Sequence, residues 1–287
     1  MLDSKLQLEN GAIAVIQDGE ISTSLASESN FEFEIGSLTK LFTAELIAEH
    51  IRRGNLTLET TIDDFFYMPP NSYIPTIKDL LSHFSGYEKD YFELFPLIRC
   101  LLGFDKYLIN TKSVVCSRLR SEKLKAPRYL YSNFGYAILG LVLEQLESKN
   151  YKDILLTYCR RIGMEHTNIN TQSNKHLWDW DDRDCFIAAG GMTSTINDMA
   201  KFALMLSQQN CNLHTCDKLM NLEQPHDLGV GMSWKIRKDG TAYHTGRTAN
   251  FNSYMSINKA LRKSVVVLLN TRIEGGQIAE GIGRQLL

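Results

Sequence analysis

Hydrophobic and polar positions follow different patterns in different parts of the chain. Residues 11 to 27 have the pattern of two β-strands joined at Asp18-Gly19, a dipeptide that is favoured in hairpin turns. From about residue 56 to residue 222 the hydrophobic residues recur mainly at the helical period, and from residue 229 strand-like runs return. Strands are therefore predicted on both sides of a mainly helical stretch.

The individual elements follow from the same patterns. Apolar residues at positions 41, 42, 46, 47 and 51 have helical spacing, so they predict a helix that begins at Ser37. Further helices are predicted over 76–83, 91–104, 111–119, 134–148, 152–162, 195–208, 214–222 and 278–287. Late strands are predicted over 229–236, 241–257 and 264–270.

Two early strands and three late ones predict one antiparallel sheet of about five strands, flanked by helices, in a protein of the α/β (α+β) class. The mainly helical stretch would be a second lobe inserted into this sheet. We expect a single domain over residues 1–287, with 1–60 and 223–287 in the sheet lobe and 61–222 in the helical lobe. A ligand site is expected where the lobes meet.

Composition and charge exclude several classes of function. The 287 residues are 44% hydrophobic and 22% charged, and the formal net charge of -2 gives no sign of nucleic-acid binding. No apolar run approaches the roughly 20 residues of a membrane span. No secretion signal is visible, so we expect a cytoplasmic protein, with a secreted protein whose signal has been removed as the alternative. The six cysteines show no disulfide framework, which favours free thiols.

Ser37 and Lys40 are the first candidates for chemistry. Unpaired N–H groups at a helix start stabilise negative charge, and Lys40 lies three residues on, on the same helical face. Burial among apolar neighbours lowers the pKa of a lysine, so that it can accept a proton from the serine. A helix cap with a solvated lysine is the other interpretation, because short motifs also occur by chance. The pattern recurs at Ser256 and Lys259, where a strand would point the two side chains to opposite faces.

Two other polar groups are candidates. Tyr131 and Asn133 precede a predicted helix; a phenol beside a lysine can act as general acid or base, and an amide can hold both a lysine and a substrate carbonyl. Alternatively, Asn133 is a helix cap and Tyr131 packs in the core. His244-Thr245-Gly246 lies on a predicted strand, where His244 can supply a proton and Gly246 lets a substrate backbone approach. A lone histidine on a strand is more often structural.

Two weaker features also carry possible functions. The acidic, aromatic run from Trp178 to Asp184 is either a solvated loop or, through Asp181 and Asp182, a recognition element for a cationic substrate. The cluster of Cys211, His214 and Cys216 has no common zinc spacing and no evident fourth ligand, so no metal is predicted.

The order of the three polar groups carries a family resemblance. Ser37-x-x-Lys40, Tyr131-x-Asn133 and His244-Thr245-Gly246 resemble the motifs of serine β-lactamases and penicillin-binding proteins, and the spacing is similar to the class C branch with its D,D-peptidases, esterases and D-aminopeptidases. The resemblance covers roughly residues 11 to 271 and includes the stretches 80–86, 131–140, 188–195 and 265–270.

The resemblance implies a serine hydrolase that cleaves an amide or ester, in a small molecule or short peptide, through an acyl-enzyme on Ser37. Lys40 and Tyr131 would transfer protons, and no metal or organic cofactor is implied. The implied substrate-binding residues are Asn133, His244, Thr245, Gly246 and Arg247, with the N–H groups of Ser37 and Arg247 as oxyanion hole. The alternatives are an acyl transferase with the same intermediate and an inactive binding protein of this fold. The oligomeric state is not predicted.

Two departures from the family pattern change the expectation. His244 stands where β-lactamases and penicillin-binding proteins usually have lysine, and a neutral imidazole binds a carboxylate less firmly, so dedicated β-lactam hydrolysis is not expected. Related esterases and D-amino-acid peptidases show the same change. Thr248-Ala249-Asn250-Phe251 stands where relatives commonly have Gly-Pro-Gly-Phe, and the expected loop relies on the tolerance of Asn250 for a positive φ.

Overall fold

The strands form one large sheet and one small sheet in the computed structural model. The residues described are 10–25, 30–89, 110–170, 177, 180–208, 215–222, 226–271 and 276–287. The strands are β1 Asn10–Gln17, β2 Glu20–Leu25, β3 Phe33–Glu34, β4 Asn168–Ile169, β5 Met192–Ser194, β6 Met220–Asn221, β7 Asp227–Val230, β8 Lys235–Arg237, β9 Ala242–Arg247, β10 Phe251–Asn258 and β11 Lys263–Asn270. The large sheet has the order β2-β1-β11-β10-β9-β8-β7-β6 and all its pairings are antiparallel; the small sheet has the order β3-β5-β4.

The helices lie mostly between the early and late strands of the large sheet. They are α1 Thr39–Arg52, α2 Ile77–Leu81, α3 Lys112–Ser121, α4 Asn133–Glu147, α5 Tyr151–Arg161, α6 Ile187–Gly190, α7 Ile196–Gln208 and α8 Gly276–Leu286, with 3₁₀ turns at Gly36–Leu38 and Ile62–Asp64. The α/β class with an antiparallel sheet and flanking helices is confirmed. The extent of the single domain and of its two lobes stays a prediction. Among the residues described, no helix is both long enough and apolar enough to cross a bilayer.

The hairpin at the start of the sheet forms as its turn residues predict. Asp18 and Gly19 both have positive φ, of 54° and 91°, which suits the turn that links two tightly paired strands. β1 also pairs along its whole length with β11, from Asn10 opposite Asn270 to Gln17 opposite Lys263. The early and late parts of the chain therefore share one sheet.

The sheet is buried on both faces at its centre. In β11, Val265, Val267 and Leu269 belong to a hydrophobic cluster with α8, while Val266 and Leu268 face the larger core with α1, α4 and α7. A strand that is covered on both sides has an unbroken apolar sequence instead of an alternating one. This explains the continuous run in β11.

The sheet has more strands than predicted, eight instead of about five. The run 241–257 contains two strands, β9 and β10, because the chain reverses at residues 248–250 with Thr248 N–H bonded to the Phe251 carbonyl at 3.0 Å. Asn250 does not have a positive φ, so this turn does not need the conformation expected there. The run 229–236 likewise spans the end of β7 and the start of β8.

The helix predicted over 214–222 is wrong within residues 215–222, the described part of that range. Met220–Asn221 is a strand that pairs with β7, and the approach is so close that a Cβ on Gly229 would lie 2.3 Å from the Met220 carbonyl oxygen. Tertiary pairing has overridden a helical pattern in the sequence. The helix predicted over 91–104 falls outside the described residues.

A pair of glycines in α8 tests how tightly this helix packs on the sheet. A Cβ at Gly283 would lie 2.2 Å from the ring of the fully buried Tyr254, whereas a Cβ at Gly281 would have no described atom within 4 Å. Gly283→Ala should lower the free energy of unfolding by about 1–3 kcal/mol through overpacking. Gly281→Ala, the matched control, should raise it by up to about 1 kcal/mol. Urea unfolding measures both, and equal effects of the two substitutions would contradict this packing.

Candidate active site

Ser37 lies in the 3₁₀ turn that leads directly into α1, where the spacing of apolar residues predicts a helix start. The turn packs against β9 so closely that a Cβ on Gly36 would lie 2.8 Å from the backbone nitrogen of Arg247. Gly36 also has a φ of 51°, a left-handed value that favours glycine. The backbone of the turn and that of β9 are therefore in contact at Ser37.

Gly246 makes the second half of this contact. A Cβ there would lie 2.1 Å from the Ile35 carbonyl oxygen, and Ser253 of β10 donates a hydrogen bond to the same oxygen at 2.7 Å. The backbone that approaches Gly246 closely is therefore that of Ile35 in the same protein, whereas the sequence predicted the approach of a substrate backbone. The role of Gly246 in binding a substrate stays a prediction.

The ammonium of Lys40 is the centre of the site. Lys40 is fully buried, and its Nζ donates to Ser37 Oγ at 3.1 Å, to Asn133 Oδ1 at 2.7 Å and to the Ala189 carbonyl at 2.7 Å. These acceptors come from the 3₁₀ turn, α4 and α6, and they match the three N–H groups of an ammonium. The same Nζ lies 4.9 Å from the centre of the Tyr131 ring. One buried cation therefore joins three separate elements.

Tyr131 lies in the loop before α4, directly before the N-cap residue of that helix. The cap is Ser132, whose Oγ accepts from Gly135 N–H at 2.9 Å, so the interpretation of Asn133 as the cap is wrong. Asn133 is the first residue of the helix, and its side-chain Oδ1 accepts from Lys40 Nζ.

His83 supports this loop and was missed as a site residue by the sequence reasoning. Its ring centre lies 4.4 Å from that of Tyr131, its Nδ1 accepts from Ser132 N–H at 3.2 Å, and its carbonyl accepts from Leu130 N–H at 2.8 Å. The stretch 80–86 resembles the family in sequence, but no pattern within it assigns a role to the histidine.

His244 on β9 is buried and neutral. Its Nδ1 lies 2.7 Å from the Thr245 carbonyl oxygen, which can only accept, so Nδ1 carries the proton and Nε2 is an acceptor. Burial and then the charge of Lys40 lower the pKa of His244 to about 3. An imidazole in this state cannot supply the positive charge of the lysine found here in β-lactamases.

Ser37 lies between two cavities. The first has a volume of about 550 Å³ and is lined by Ser37, Lys89, Tyr129, Tyr131, Asn133, Lys235, His244, Thr245, Arg247 and Thr248. The second, of about 230 Å³, has a mainly apolar wall that includes Trp180, Phe186 and Ala249. The structure therefore brings together all the predicted site residues, with Lys40 and Gly246 behind the surface. Lys89, Lys235 and Phe186 are additional lining residues that no motif in the sequence indicates, while Trp180 belongs to the acidic, aromatic run from Trp178 to Asp184.

The two carboxylates of the acidic run and the second Ser-x-x-Lys pair do not line these cavities. Asp181 binds Arg183 and Asp182 binds Lys152, and neither carboxylate lines the two cavities at Ser37. Ser256 is buried in β10, while Lys259 bonds to Asp217. Two of the three residues of the possible zinc cluster, Cys211 and His214, fall outside the described part of the chain.

The fold matches that of penicillin-binding proteins and β-lactamases. A structure titled β-lactamase/D-alanine carboxypeptidase from Yersinia pestis, in complex with citrate, has a TM-score of 0.81 with 17% identity, and the match covers 96% of this chain and 92% of that one. The octameric penicillin-binding protein homologue from Pyrococcus abyssi has a TM-score of 0.75 with 20% identity, over 96% of this chain and 72% of that one.

The chain belongs to the beta-lactamase family, whose model matches residues 2–284. Among curated relatives, Protein flp from Staphylococcus aureus (strain N315) is 22% identical in a gapped alignment of 294 positions that covers 89% of this chain. The match covers 56% of Protein flp, so the chain spans about half the length of the curated relatives it matches. Family membership supports serine-hydrolase chemistry through an acyl-enzyme in general terms.

The neutral state of His244 predicts a loss of stability in acid. Because its folded pKa of about 3 lies below the ordinary 6.5, the unfolded chain takes up a proton that the folded chain does not, and stability falls as the pH drops through this window. His244→Gln removes this proton uptake. The free energy of unfolding should then fall less steeply with acid, by up to about 1.4 kcal/mol per pH unit. Urea unfolding of both proteins across the window measures the slopes; identical slopes would show that His244 titrates normally.

Proposed function

We propose that this protein is a serine hydrolase that cleaves an amide or an ester through an acyl-enzyme on Ser37. The observation that carries the proposal is the contact of the buried Lys40 ammonium with Ser37 Oγ at 3.1 Å, beside the Tyr131 ring and the Asn133 amide. A serine hydroxyl with an adjacent proton-transfer pair is an activated nucleophile.

Tyr131 and Lys40 have different parts in the proton transfer. Lys40 has three acceptors around its Nζ among the described residues, which favour the ammonium. This charge, 4.9 Å from the centre of the Tyr131 ring, favours the phenolate of Tyr131, which is the form that receives the Ser37 proton. As Ser37 Oγ bonds to the substrate carbonyl carbon, the proton passes to Tyr131. It then passes to the leaving group as the bond between carbonyl carbon and leaving group breaks. In the second half of the reaction a water molecule attacks the acyl carbon and gives a proton to Tyr131. Tyr131 returns this proton to Ser37 Oγ as the bond between Oγ and the acyl carbon breaks and the acid is released.

The oxyanion that forms in each step needs donors near Ser37. The N–H groups of Ser37 and Arg247 are suited to this, because the 3₁₀ turn and β9 are in contact where these two residues lie. Donors of this kind are commonly worth a few kcal/mol in the transition state, roughly 100-fold or more in rate. Gly36 and Gly246 maintain the contact and so preserve the spacing of the two amides.

The lining of the two cavities supports one placement of the two parts of the substrate. Tyr131 lines the first cavity and not the second, so the leaving group belongs in the first cavity, next to its proton donor. The acyl group then lies along Trp180 and Phe186 in the second cavity. An amide or ester with an apolar acyl group fits this arrangement, and D-amino-acid peptides and small esters are the classes to screen.

The nucleophile can be identified by covalent labelling. A fluorophosphonate probe should modify Ser37, and mass spectrometry of the digested protein should find the adduct on that residue alone. Ser37→Ala should abolish the label. Ser256→Ala, which removes the serine of the second Ser-x-x-Lys sequence in β10, should leave it intact. Labelling of another residue, or no labelling of the folded protein, would argue against the proposal.

Substrates with different leaving groups distinguish a loss of proton donation by Tyr131 from a nonspecific loss of activity. Tyr131→Phe should slow hydrolysis of an alkyl ester by roughly 100-fold or more, because an alkoxide needs a proton to leave. An aryl ester, whose phenolate leaves without one, loses only the base that takes the Ser37 proton, so its kcat/KM should fall at least about tenfold less than that of the alkyl ester. Tyr129→Phe removes a hydroxyl from the same cavity and is the control. Equal losses for the two esters in Tyr131→Phe would contradict this assignment.

A further inference from the structure

A third cavity lies away from Ser37 and has a volume of about 360 Å³. None of the residues that line it lines the first or the second cavity. The short helix α6 contributes to both regions, because Ile187 lines the third cavity while Ala189 and Gly190 line the second. A cavity of this size is at the lower end of the usual range for small organic ligands. The third cavity is therefore a separate candidate site.

Part of the wall of the third cavity is apolar. Leu141 of α4 and Ile187 of α6 line it together with Tyr151, the first residue of α5. The Tyr151 hydroxyl is hydrogen-bonded to the buried Thr43 at 2.6 Å, so Tyr151 offers a ligand its ring and not its hydroxyl. This part of the wall is suited to the hydrocarbon portion of a ligand.

The cations of the wall already have acidic partners. The three ion pairs are Lys152 with Asp182 at 2.9 Å, Arg183 with Asp181 at 2.7 Å and Lys112 with Glu144 at 3.9 Å. Lys112 and Arg183 are also mostly exposed, so water and salt screen their charges. These cations leave little positive charge for a ligand inside the cavity.

Asp184 is the buried charge of the wall. Only 8% of the residue is exposed, and its carboxylate accepts from the Phe186 N–H at 2.8 Å. Within the described part of the chain it has no ion-pair partner. Burial raises the pKa of Asp184 to about 6, and the charge of Asp181 acts in the same direction. At neutral pH most of the Asp184 side chains are still ionised, so the cavity contains a buried negative charge that no cation balances.

The thiol of Cys185, which also lines the cavity, shows the sign of the local charge. Burial raises its pKa to about 12, and Glu144 and Asp184 raise it further, each by more than Lys112 lowers it. The surroundings of the thiol are therefore negative. Among the residues described, no group of three or more histidine, cysteine, aspartate or glutamate side chains is placed to hold a metal ion. An organic cation is the ligand that fits.

We propose that the third cavity binds a small primary amine, with its ammonium at Asp184 and its hydrocarbon portion along Leu141, Tyr151 and Ile187. An ammonium has three N–H donors, and charge-assisted bonds to a carboxylate are about twice as strong as neutral hydrogen bonds. Asp184 is the last residue of the acidic run that begins at Trp178, so this run recognises a cation away from Ser37. The inference does not depend on the chemistry proposed for Ser37.

Three compounds of similar shape test the requirement for positive charge. At neutral pH 4-phenylbutylamine is a cation, 4-phenylbutan-1-ol is neutral and 4-phenylbutanoate is an anion. Calorimetric titration of the native protein should show that the amine binds at least about tenfold more tightly than the alcohol, and that the carboxylate binds more weakly than either. Equal affinities for the amine and the alcohol would overturn the inference.

Asp184→Asn tests the buried carboxylate. The amide keeps an acceptor for the Phe186 N–H but carries no charge, so the affinity for the amine should fall about tenfold while that for the alcohol stays the same. Asp182→Asn is the matched control, since Asp182 is exposed and pairs with Lys152. It should change the affinity for the amine by less than about threefold. Equal losses in the two variants would contradict the role of Asp184.

Two exposed positions test where the amine binds, and they do so whether or not Asp184→Asn folds. Ser113 lines the third cavity and Ala249 lines the second. Ser113→Trp should obstruct the third cavity and weaken binding of the amine by about tenfold or more. Ala249→Trp, the control, should leave the native affinity. Binding that is kept in Ser113→Trp and lost in Ala249→Trp would place the amine beside Ser37 and overturn the inference.

Discussion

The buried ammonium of Lys40 is the interaction on which the rest of the site depends. A charge removed from water is costly unless its hydrogen bonds are satisfied, and here Ser37, Asn133 and Ala189 provide acceptors from three elements. The requirement ties α1, α4 and α6 to one atom. The positions of the candidate nucleophile and of the Tyr131 loop are therefore set by the packing of the helical core and not by surface loops.

A second contact joins this helical core to the large sheet. The turn at Gly36 and the strand at Gly246 approach within distances that exclude any side chain, and Ser253 bonds across the gap to Ile35. Lys40 fixes the turn from one side and β9 fixes it from the other. Ser37 thus lies where the helical core meets the large sheet, held by contacts on both sides, which is a suitable place for groups that must keep their relative positions during a reaction.

Local patterns in the sequence were sufficient for features whose causes are local. The Asp18-Gly19 turn, the strand pattern of β11 and the spacing of Ser37 and Lys40 can each be recognised within one short stretch of sequence. The strand count was too low because β6 and β8, with two and three residues, are too short to show a period, and because the run 241–257 conceals the turn between β9 and β10. His83, Lys235 and the Ala189 carbonyl contribute through contacts distant in sequence, and a backbone carbonyl leaves no signal in the side-chain pattern.

The hydrogen bond from His244 Nδ1 to the Thr245 carbonyl has a consequence for the polarity of the β9 wall. A lysine at this position offers only protons, while this imidazole offers only a lone pair. Groups that complement one of them are mismatched to the other: a carbonyl or phosphate oxygen suits the first, and an amide N–H or a hydroxyl suits the second. Histidine in place of lysine therefore reverses the kind of substrate group that can form a hydrogen bond to this wall of the first cavity.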